Sequence, residues 1–332
     1  MSETPNPTDE PSGEPGGDGF FRLAETDKTF DLRWRSGSLK YRDFKLLSEG
    51  GIAKLYSVFD ENLRRTVVYK TLHDHLREDE IETQRFLREA RVTANIAHPG
   101  TVPLYELGRD RNGNLFFTMK HVRGRDLCNI IDALREGDAA TAAAFPLPAL
   151  VDILTRATET VAHAHSRGVI HRDLKPANIL TGQFGVTYVI DWGLAKVWGE
   201  PDIAHPEMGH DEDPALTPVG RRYGTPFYMA PELARGDAHI DGRADVFSLG
   251  LILYEILTHR QLINGETMQE VVENLLNQPF PKPTEAAPQN EIPPALEAIC
   301  LRALEKNAKD RYADVESLLD ELRELRGNQG VL

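Results

Sequence analysis

Three side chains between residues 173 and 178 could together carry out a phosphoryl transfer. Asp173 can accept a proton, Lys175 can neutralise developing negative charge, and Asn178 offers an oxygen to a hard metal ion. Apolar residues at 168–170 and 179–180 flank them, which predicts a polar loop held between two buried strands. A base, a cation and a metal ligand in one loop are the groups that this chemistry requires.

This loop resembles that of a known family. The string His171-Arg172-Asp173-Leu174-Lys175-Pro176-Ala177-Asn178 resembles the catalytic loop of eukaryotic-type serine/threonine protein kinases, in a style that looks bacterial. Thirteen residues after Asn178, Asp191-Trp192-Gly193 resembles the D-F-G element of that family, with Trp in place of Phe. The resemblance implies that Asp173 orients the substrate hydroxyl and takes its proton. It also implies that Asp191 and Asn178 bind Mg²⁺, or Mn²⁺, beside ATP.

A lysine and a glutamate upstream have the spacing of the kinase ion pair. Lys70 ends the run 66–70, whose β-branched and aromatic residues predict a strand, and Glu89 lies in 81–96, whose apolar residues have helical spacing. Lys70 comes twenty residues after Gly50 and nineteen before Glu89. A lone lysine at a strand end is most often simply exposed. The spacing nevertheless matches the family lysine that holds the α and β phosphates of ATP.

The segment expected to cover the phosphates departs from the family pattern. Kinases have G-x-G-x-x-G-x-V in a hairpin, whereas this chain has Ser48, Gly50, Ala53 and Leu55 at the fixed positions, with an additional Gly51. Glycine lets backbone N–H groups approach phosphate oxygens without a Cβ in the way. Since Ser48 and Ala53 are small, we expect weaker nucleotide binding and not its loss.

The adenine pocket is expected where the small lobe ends. The resemblance implies that Met119 guards the back of this pocket and that Lys120 to Val122 form the hinge. The family often has glutamate where this chain has Lys120. Adenine is read there by backbone groups, so we expect this difference to have little effect on binding.

Four further residues are expected to support the catalytic loop and the peptide platform. The run Gly224–Glu232, which reads GTPFYMAPE, resembles the end of the kinase activation segment. The resemblance implies that Thr225 hydrogen-bonds near the catalytic aspartate and lysine, and that Glu232 pairs with a buried arginine, for which Arg311 fits. Asp245 matches the family aspartate that braces the backbone of the catalytic loop. This run and Lys175 match kinases of serine and threonine and not those of tyrosine.

Arg172 suggests control by phosphorylation, because the corresponding family arginine commonly receives a phosphate from the activation segment. The candidates in that segment are Thr217, Tyr223 and Thr225. We choose Thr217, which is followed by proline and lies near two arginines. The acidic residues 200–213 are interpreted as a solvated bulge, the alternative being contact with substrate.

Composition limits the classes of function. The chain has 332 residues, 40% of them hydrophobic, and a net charge of −14, which disfavours nucleic-acid binding and suits basic protein substrates. Cys128 and Cys300 are far apart and are expected to be reduced. The N-terminus has no signal-peptide pattern, and the apolar run 246–257 is too short to span a membrane. We therefore expect a soluble cytoplasmic protein without a membrane partner.

Pattern and resemblance together predict an α+β, bilobal protein kinase fold. Residues 1–19 are predicted to form a disordered acidic tail, and residues 20–40 a strap or linker on the small lobe, with a regulatory or docking segment as the alternative. The N-lobe (41–122) should hold a five-stranded antiparallel sheet and one helix, and the larger C-lobe (123–326) should be mainly helical, with a short tail at 327–332. Strands are predicted at 41–47, 54–59, 66–70, 102–107, 115–119, 178–180 and 188–190, and helices at 81–96, 126–134, 150–166, 242–258, 267–277, 294–304 and 315–325, with connections at 138–148 and 279–288.

The sequence raises two alternatives to an active protein kinase and, separately, one candidate metal site. A pseudokinase scaffold would explain the degenerate glycine-rich hairpin, but the charged and polar residues that the chemistry requires are present. A small-molecule phosphotransferase would not need the platform at 224–232. A zinc site at His163, His165 and His171 is disfavoured, because alternate residues on a helix point to different sides. The hypothesis is transfer of the γ-phosphoryl group of Mg-ATP to Ser or Thr of protein substrates, including the enzyme's own activation segment by self-association.

Overall fold

The N-lobe is built on a five-stranded antiparallel sheet. The computed structural model of the chain describes residues 35–197, 226–237 and 239–327. The strands of this sheet are β1 (Tyr41–Glu49), β2 (Ala53–Asp60), β3 (Arg65–Leu72), β4 (Leu104–Arg109) and β5 (Leu115–Lys120). Their order is β1-β2-β3-β5-β4, and every neighbouring pair is antiparallel. Each strand overlaps one that the sequence predicted.

One helix, α1 (Glu80–Asn95), lies against the inner face of this sheet. The carboxylate of Asp79 caps its first turn by accepting two backbone hydrogen bonds. Phe86 and Ala90 are buried in a cluster with residues of β3 and β5. Because positions three and four apart share a helix face, burying Phe86 and Ala90 also turns Glu89 towards the sheet.

The outer face of the sheet is aromatic. Successive residues of a strand point to opposite faces, so Tyr69 lies on the outer face when Lys70 lies on the inner one. Tyr41, Tyr69 and Phe116 are buried together there, and the ring of Tyr69 stacks on that of Phe116 with centroids 4.6 Å apart. The aromatic cluster and Lys70 therefore lie on opposite faces of the sheet.

The strand that carries Lys70 is longer than the sequence predicted. β3 continues through Leu72, so Lys70 lies within the strand and not at its end. It is paired with Leu55 on β2 and with Phe117 on β5. Lys70 therefore lies in the middle of the sheet, and neighbouring strands fix its backbone on both sides.

Helices form most of the C-lobe. They are α2 (Leu127–Arg135), α3 (Ala139–Ala144), α4 (Leu147–Ser166), α5 (Pro231–Arg235), α6 (Arg243–Thr258), α7 (Met268–Asn277), α8 (Pro283–Ala286), α9 (Pro294–Ala303) and α10 (Val315–Gly327). Every residue of α6 after Arg243 is buried, which makes it the central helix. In the part of the chain that the structure describes, none of the helices has both the length and the apolar character needed to cross a membrane.

Two small sheets hold the catalytic loop. One has the order β6-β8-β9 and is formed by β6 (Gly124–Asp126), β8 (Ile179–Gly182) and β9 (Thr187–Val189); in the other, β7 (Val169–Ile170) pairs with β10 (Lys196–Val197). The loop at 171–178 runs from β7 to β8, and Asp191 follows β9. The polar loop therefore lies between buried strands, as its apolar flanks predicted.

Two segments predicted as connections contain short helices. Within 138–148, the carboxylate of Asp138 accepts a hydrogen bond of 2.8 Å from the backbone of Thr141 and starts α3, whose alanines have high helix propensity. Within 279–288, α8 begins at Pro283, in the first turn, where a missing N–H costs nothing. The Ala-rich connection at 138–148 thus contains a helix, and the prediction of a loop at 279–288 missed the short helix α8.

Candidate active site

A buried carboxylate on α6 holds the backbone of the catalytic loop. Asp245 accepts hydrogen bonds from the backbone N–H groups of His171 (2.8 Å) and Arg172 (2.9 Å). The Nε2–H of His165, on α4, donates to the same carboxylate at 2.7 Å. Burial opposes ionisation, but these donors, His165 first, lower the pKa of Asp245. The carboxylate that the sequence assigned to bracing the loop thus contacts its backbone.

Two residues of the site have left-handed backbone conformations. The φ angles of Arg172 and Asp191 are 65° and 66°, and neither residue is glycine. Such conformations cost about 1–3 kcal/mol each and persist where surrounding contacts fix them. For Arg172 these contacts include Asp245 at the backbone and the carbonyl of Leu194, which accepts from its Nε at 3.0 Å.

The loop brings its three chemical groups together. The ammonium group of Lys175 donates to the carboxylate of Asp173 at 2.8 Å. The Nδ2 of Asn178 donates to the backbone oxygen of Asp173 at 2.9 Å, so the carboxamide oxygen of Asn178 is not used in this contact. Asp173 and Asn178 are 9% and 4% exposed, so these interactions are little weakened by water.

Lys70 and Glu89 form a buried ion pair between β3 and α1. The ammonium group donates to both carboxylate oxygens, at 2.6 and 2.7 Å. Burial disfavours the charge of Lys70, but Glu89 and Asp191 outweigh it and raise the pKa of the lysine. Lys70 therefore keeps its positive charge in a buried position beside Glu89 and Asp191.

The aromatic residue after Asp191 is buried and packs against the catalytic loop. Trp192 is fully buried; its ring packs against that of His171 with centroids 4.5 Å apart, and its Nε1 donates to Val189 at 3.4 Å. The backbone of Gly193 hydrogen-bonds to the Asp191 carboxylate. Trp in place of Phe thus fills a buried position next to the catalytic loop.

The two aspartates of the site have pKa values displaced in opposite directions. Burial raises the pKa of Asp173, the charge of Asp191 adds to this, and Lys175 opposes it. For Asp191 burial acts in the same direction, but Lys70, Lys175 and His171 outweigh it and lower its pKa. Two carboxyl groups whose pKa values are shifted in opposite directions are suited to different roles, one as a proton acceptor and the other as a permanently charged ligand.

The glycine-rich hairpin has an anchor that the sequence did not indicate. Ser48 pairs with Leu55 across the β1–β2 hairpin, and the backbone N–H of Gly50 donates to the carbonyl of Ala53 at 3.0 Å. The ring Nε2 of His73 lies 2.7 Å from the carbonyl oxygen of Gly50 and holds the hairpin end against the end of β3. Gly51 lies at the exposed tip, whereas Ala53 is buried.

The hinge region contains a side-chain link between the lobes. Met119 packs beside the cluster that joins α1 to the sheet. The ammonium group of Lys120 donates to the hydroxyl of Tyr188 on β9 at 2.7 Å. Val122 follows in the connection to β6. No local pattern indicates this contact, because Tyr188 lies 68 residues from Lys120.

Glu232 and Arg311, which the sequence predicted to pair, form a buried ion pair with two hydrogen bonds. Arg311 donates from its two terminal nitrogens to the two carboxylate oxygens of Glu232, each at 2.8 Å. A second contact went unnoticed in the sequence: the hydroxyl of Tyr228 donates to Glu255 on α6. Thr217 and Thr225 lie outside the described residues.

Replacing Asp245 by alanine is expected to destabilise the protein by about 3–5 kcal/mol at pH 7, because buried donors lose their charged acceptor. Urea unfolding of wild type and variant measures this. Because the pKa of Asp245 is lowered in the folded protein, its full contribution to the free energy of unfolding is made above the pKa of an unfolded aspartate, about 3.9. The difference in unfolding free energy between wild type and variant should therefore shrink as the pH falls through the pKa of Asp245 in the folded protein.

Asp237→Ala is the matched control for this experiment, because Asp237 is exposed and pairs with Arg235 at the surface. It should change stability little. Equal unfolding free energies for Asp245→Ala and wild type at pH 7 would contradict the bracing role.

The fold and this arrangement of charged groups define a protein kinase domain. Residues 41–322 match the family described as "Protein kinase domain", and the chain belongs to that family. Among similar curated proteins, the serine/threonine-protein kinase pkn3 of Myxococcus xanthus is 35% identical over 305 residues, which cover 90% of this chain and 52% of that protein. The serine/threonine-protein kinase PknD of Chlamydia pneumoniae is 32% identical over 289 residues, 85% of this chain and 31% of that protein.

This chain matches only part of each relative. A further PknD, from Protochlamydia amoebophila, is 32% identical over 292 residues, which make up 29% of that protein. The chain thus spans between about a third and a half of the length of the curated relatives it matches. What these relatives share with it is the kinase domain.

Proposed function

We propose that this chain is a serine/threonine protein kinase that transfers the γ-phosphoryl group of ATP to hydroxyl groups of proteins. The observation that carries the proposal is the convergence of a proton acceptor, Asp173, with a charged carboxylate, Asp191, and the Lys70–Glu89 ion pair. Family membership and the names of the relatives support it.

The residues present fit a divalent metal ion at this site. Asp191 supplies a carboxylate of lowered pKa. Asn178 supplies its carboxamide oxygen, because its contact with Asp173 is made by the Nδ2 atom. Mg²⁺ and Mn²⁺ prefer oxygen ligands of this kind. We propose that Asp191 and Asn178 hold Mg²⁺, or Mn²⁺, which when bound neutralises phosphate charge.

The remaining residues have distinct roles in the proposed transfer. Asp173 orients the substrate hydroxyl and accepts its proton while the oxygen forms a bond to the γ-phosphorus and the bond to the bridging oxygen of ADP breaks. Lys175 and Lys70 balance the negative charge that moves between these oxygens. Glu89 keeps Lys70 in position. The hairpin from Ser48 to Leu55 covers the phosphates, and the backbone of residues 119–122 contacts adenine.

The choice of serine and threonine rests on the residues that face the substrate. Lys175, two positions after Asp173, and the run 224–232 match this branch of the family. A scaffold without catalysis would not need a base of raised pKa beside a charged metal ligand. The test compares one basic peptide carrying Ser, Thr or Tyr at a single position. Phosphorylation of the Ser and Thr forms alone is expected; phosphorylation of the Tyr form alone, or of none, would contradict the proposal.

Lys175→Met is expected to move the acid limb of the pH profile of kcat/KM upward by about one to three pH units. Asp173 must be ionised to accept a proton, so activity falls as the pH drops through its pKa. Burial and Asp191 raise that pKa, and Lys175 holds it down. Removing the lysine therefore raises the pKa further, and an unmoved acid limb would show that another group titrates.

Regulation and location complete the proposal. We propose that Thr217 is phosphorylated by a second copy of the chain and that Arg172 receives the phosphate. Phosphopeptide mapping of active enzyme tests this, since an unmodified Thr217 would contradict it. We also propose a cytoplasmic location, which the two free cysteines and the need for ATP support.

A further inference from the structure

A pocket on the outer face of the N-lobe lies outside the catalytic site. It has a volume of about 460 Å³, and its floor is formed by Phe44, Tyr56 and Tyr69. The ring of Phe44 makes edge-to-face contacts with those of Tyr56 and Tyr69, at centroid distances of 5.8 and 5.2 Å. Charged residues form the rim: Arg77, Asp110 and Arg111. We call this the outer pocket.

The outer pocket is open to a further apolar group. Phe44 is 49% exposed and Leu46, two positions further along β1, is 54% exposed. β1 is one of the two edge strands of the sheet, so no strand among the described residues pairs with its free side. The Nε of Arg77 is buried and has no hydrogen-bond partner among the described residues, although a terminal nitrogen pairs with Asp74 at 2.5 Å. An occupant with apolar side chains and a hydrogen-bond acceptor would complete the site.

The described chain begins at the edge of this pocket. Arg35 lines it, and the carbonyl of Arg35 accepts a hydrogen bond of 2.8 Å from Asn62 in the β2–β3 turn. Its guanidinium pairs with Glu61 at 3.5 Å. Arg35, the first described residue, therefore lies at the pocket.

The five residues before Arg35 match this pocket in pattern and reach. They read Phe30-Asp31-Leu32-Arg33-Trp34, so apolar and charged residues alternate. In an extended chain the three apolar side chains would share one side. Five residues reach up to about 17 Å, and the three strands under the pocket span roughly 10 Å.

We propose that residues 30–34 dock in the outer pocket of the same chain, with Phe30, Leu32 and Trp34 against its aromatic floor. The charged residues between them then point away from the floor towards solvent, and a backbone acceptor of the segment meets the Nε of Arg77. The segment covers the exposed side of β1 and ties the strand that leads into the glycine-rich hairpin to the rest of the lobe.

Hydroxyl-radical footprinting of the full chain with mass spectrometry tests this docking. We compare wild type with a variant carrying Phe30→Ser, Leu32→Ser and Trp34→Ser. Phe44 is expected to be oxidised several-fold faster in the variant, because the docked segment no longer shields it. A matched control, Phe20→Ser, Phe21→Ser and Leu23→Ser, removes as many apolar residues from outside the alternating stretch and should leave Phe44 as slow as in wild type.

Two other side chains calibrate the experiment. Phe184 is fully exposed and should be oxidised equally in all proteins, and the buried Trp192 should stay protected while the fold is intact. In the reciprocal variant Phe44→Ser/Tyr56→Ser, Trp34 should be oxidised faster. Equal rates for Phe44 in wild type and the triple variant would overturn the proposal. Protection of Phe44 that rises with protein concentration would also overturn it, since a second copy would then supply the segment.

Discussion

An Asp173→Asn variant is expected to have a kcat about 10²–10⁴-fold below that of wild type, with an unchanged Kd for ATP. Asparagine keeps the size of the side chain and can still accept from Lys175, but it cannot take up the proton of the substrate hydroxyl. General base catalysis by a positioned side chain contributes about this factor. Steady-state kinetics gives kcat, and calorimetric titration gives the Kd for ATP.

Asp237→Asn makes the same chemical change at an exposed position, where Asp237 pairs only with Arg235 at 3.1 Å among the contacts described. It should leave both constants at their wild-type values. A wild-type kcat in Asp173→Asn would mean that Asp173 is not the proton acceptor, whatever the rest of the site does.

A Lys70→Met variant is expected to lose about 10²–10³-fold in kcat/KM, the usual effect of removing one electrostatic contact to a reacting group. It should also be less stable by about 3–5 kcal/mol, because Glu89, whose pKa is already raised by burial, would be left in the interior without its partner. Kinetics and urea unfolding separate the two effects. Lys40→Met, which removes an ion pair with Glu106 on the outer face, is the matched control.

The double variant Lys70→Met/Glu89→Met distinguishes catalysis from stability. Removing both charges leaves no unpaired ion in the interior, so most of the lost stability should return. Activity should not return, because the charge that Lys70 is proposed to present to the phosphates is still missing. A double variant that regains wild-type kcat/KM would show that Lys70 acts only by keeping the lobe folded.

Much of the fold was predictable, because its elements follow the hydrophobic pattern. Alternation along β1 and β2, the β-branched and aromatic residues of β3 and helical spacing in α1 are local signals, and the kinase fold predicted from such patterns and from the motifs is confirmed. The positions of Lys70 and Glu89 follow from the same periods. Lys70 lies two residues before the buried Leu72, so both side chains point to the same face of the sheet. Glu89 lies three residues after the buried Phe86, so it is on the helix face that packs against the sheet.

Contacts made between distant side chains were not predictable in this way. His73 looks like any histidine near a strand end until packing brings it to the carbonyl of Gly50, and Tyr188 is an ordinary strand residue until Lys120 reaches it. His165 is a candidate metal ligand by residue type, yet it donates to Asp245, 80 residues away. Each of these partners is set by how the elements pack, which no local period encodes.

The most direct test of the account is the mass of the intact, phosphatase-treated protein and of a basic protein substrate after incubation with ATP and Mg²⁺. Wild type and Asp173→Asn are treated side by side, and fragmentation locates any phosphate. We expect added phosphate on serine and threonine with the wild type alone. No phosphate on either protein, or equal phosphate with both enzymes, would contradict the assignment of kinase activity to this site.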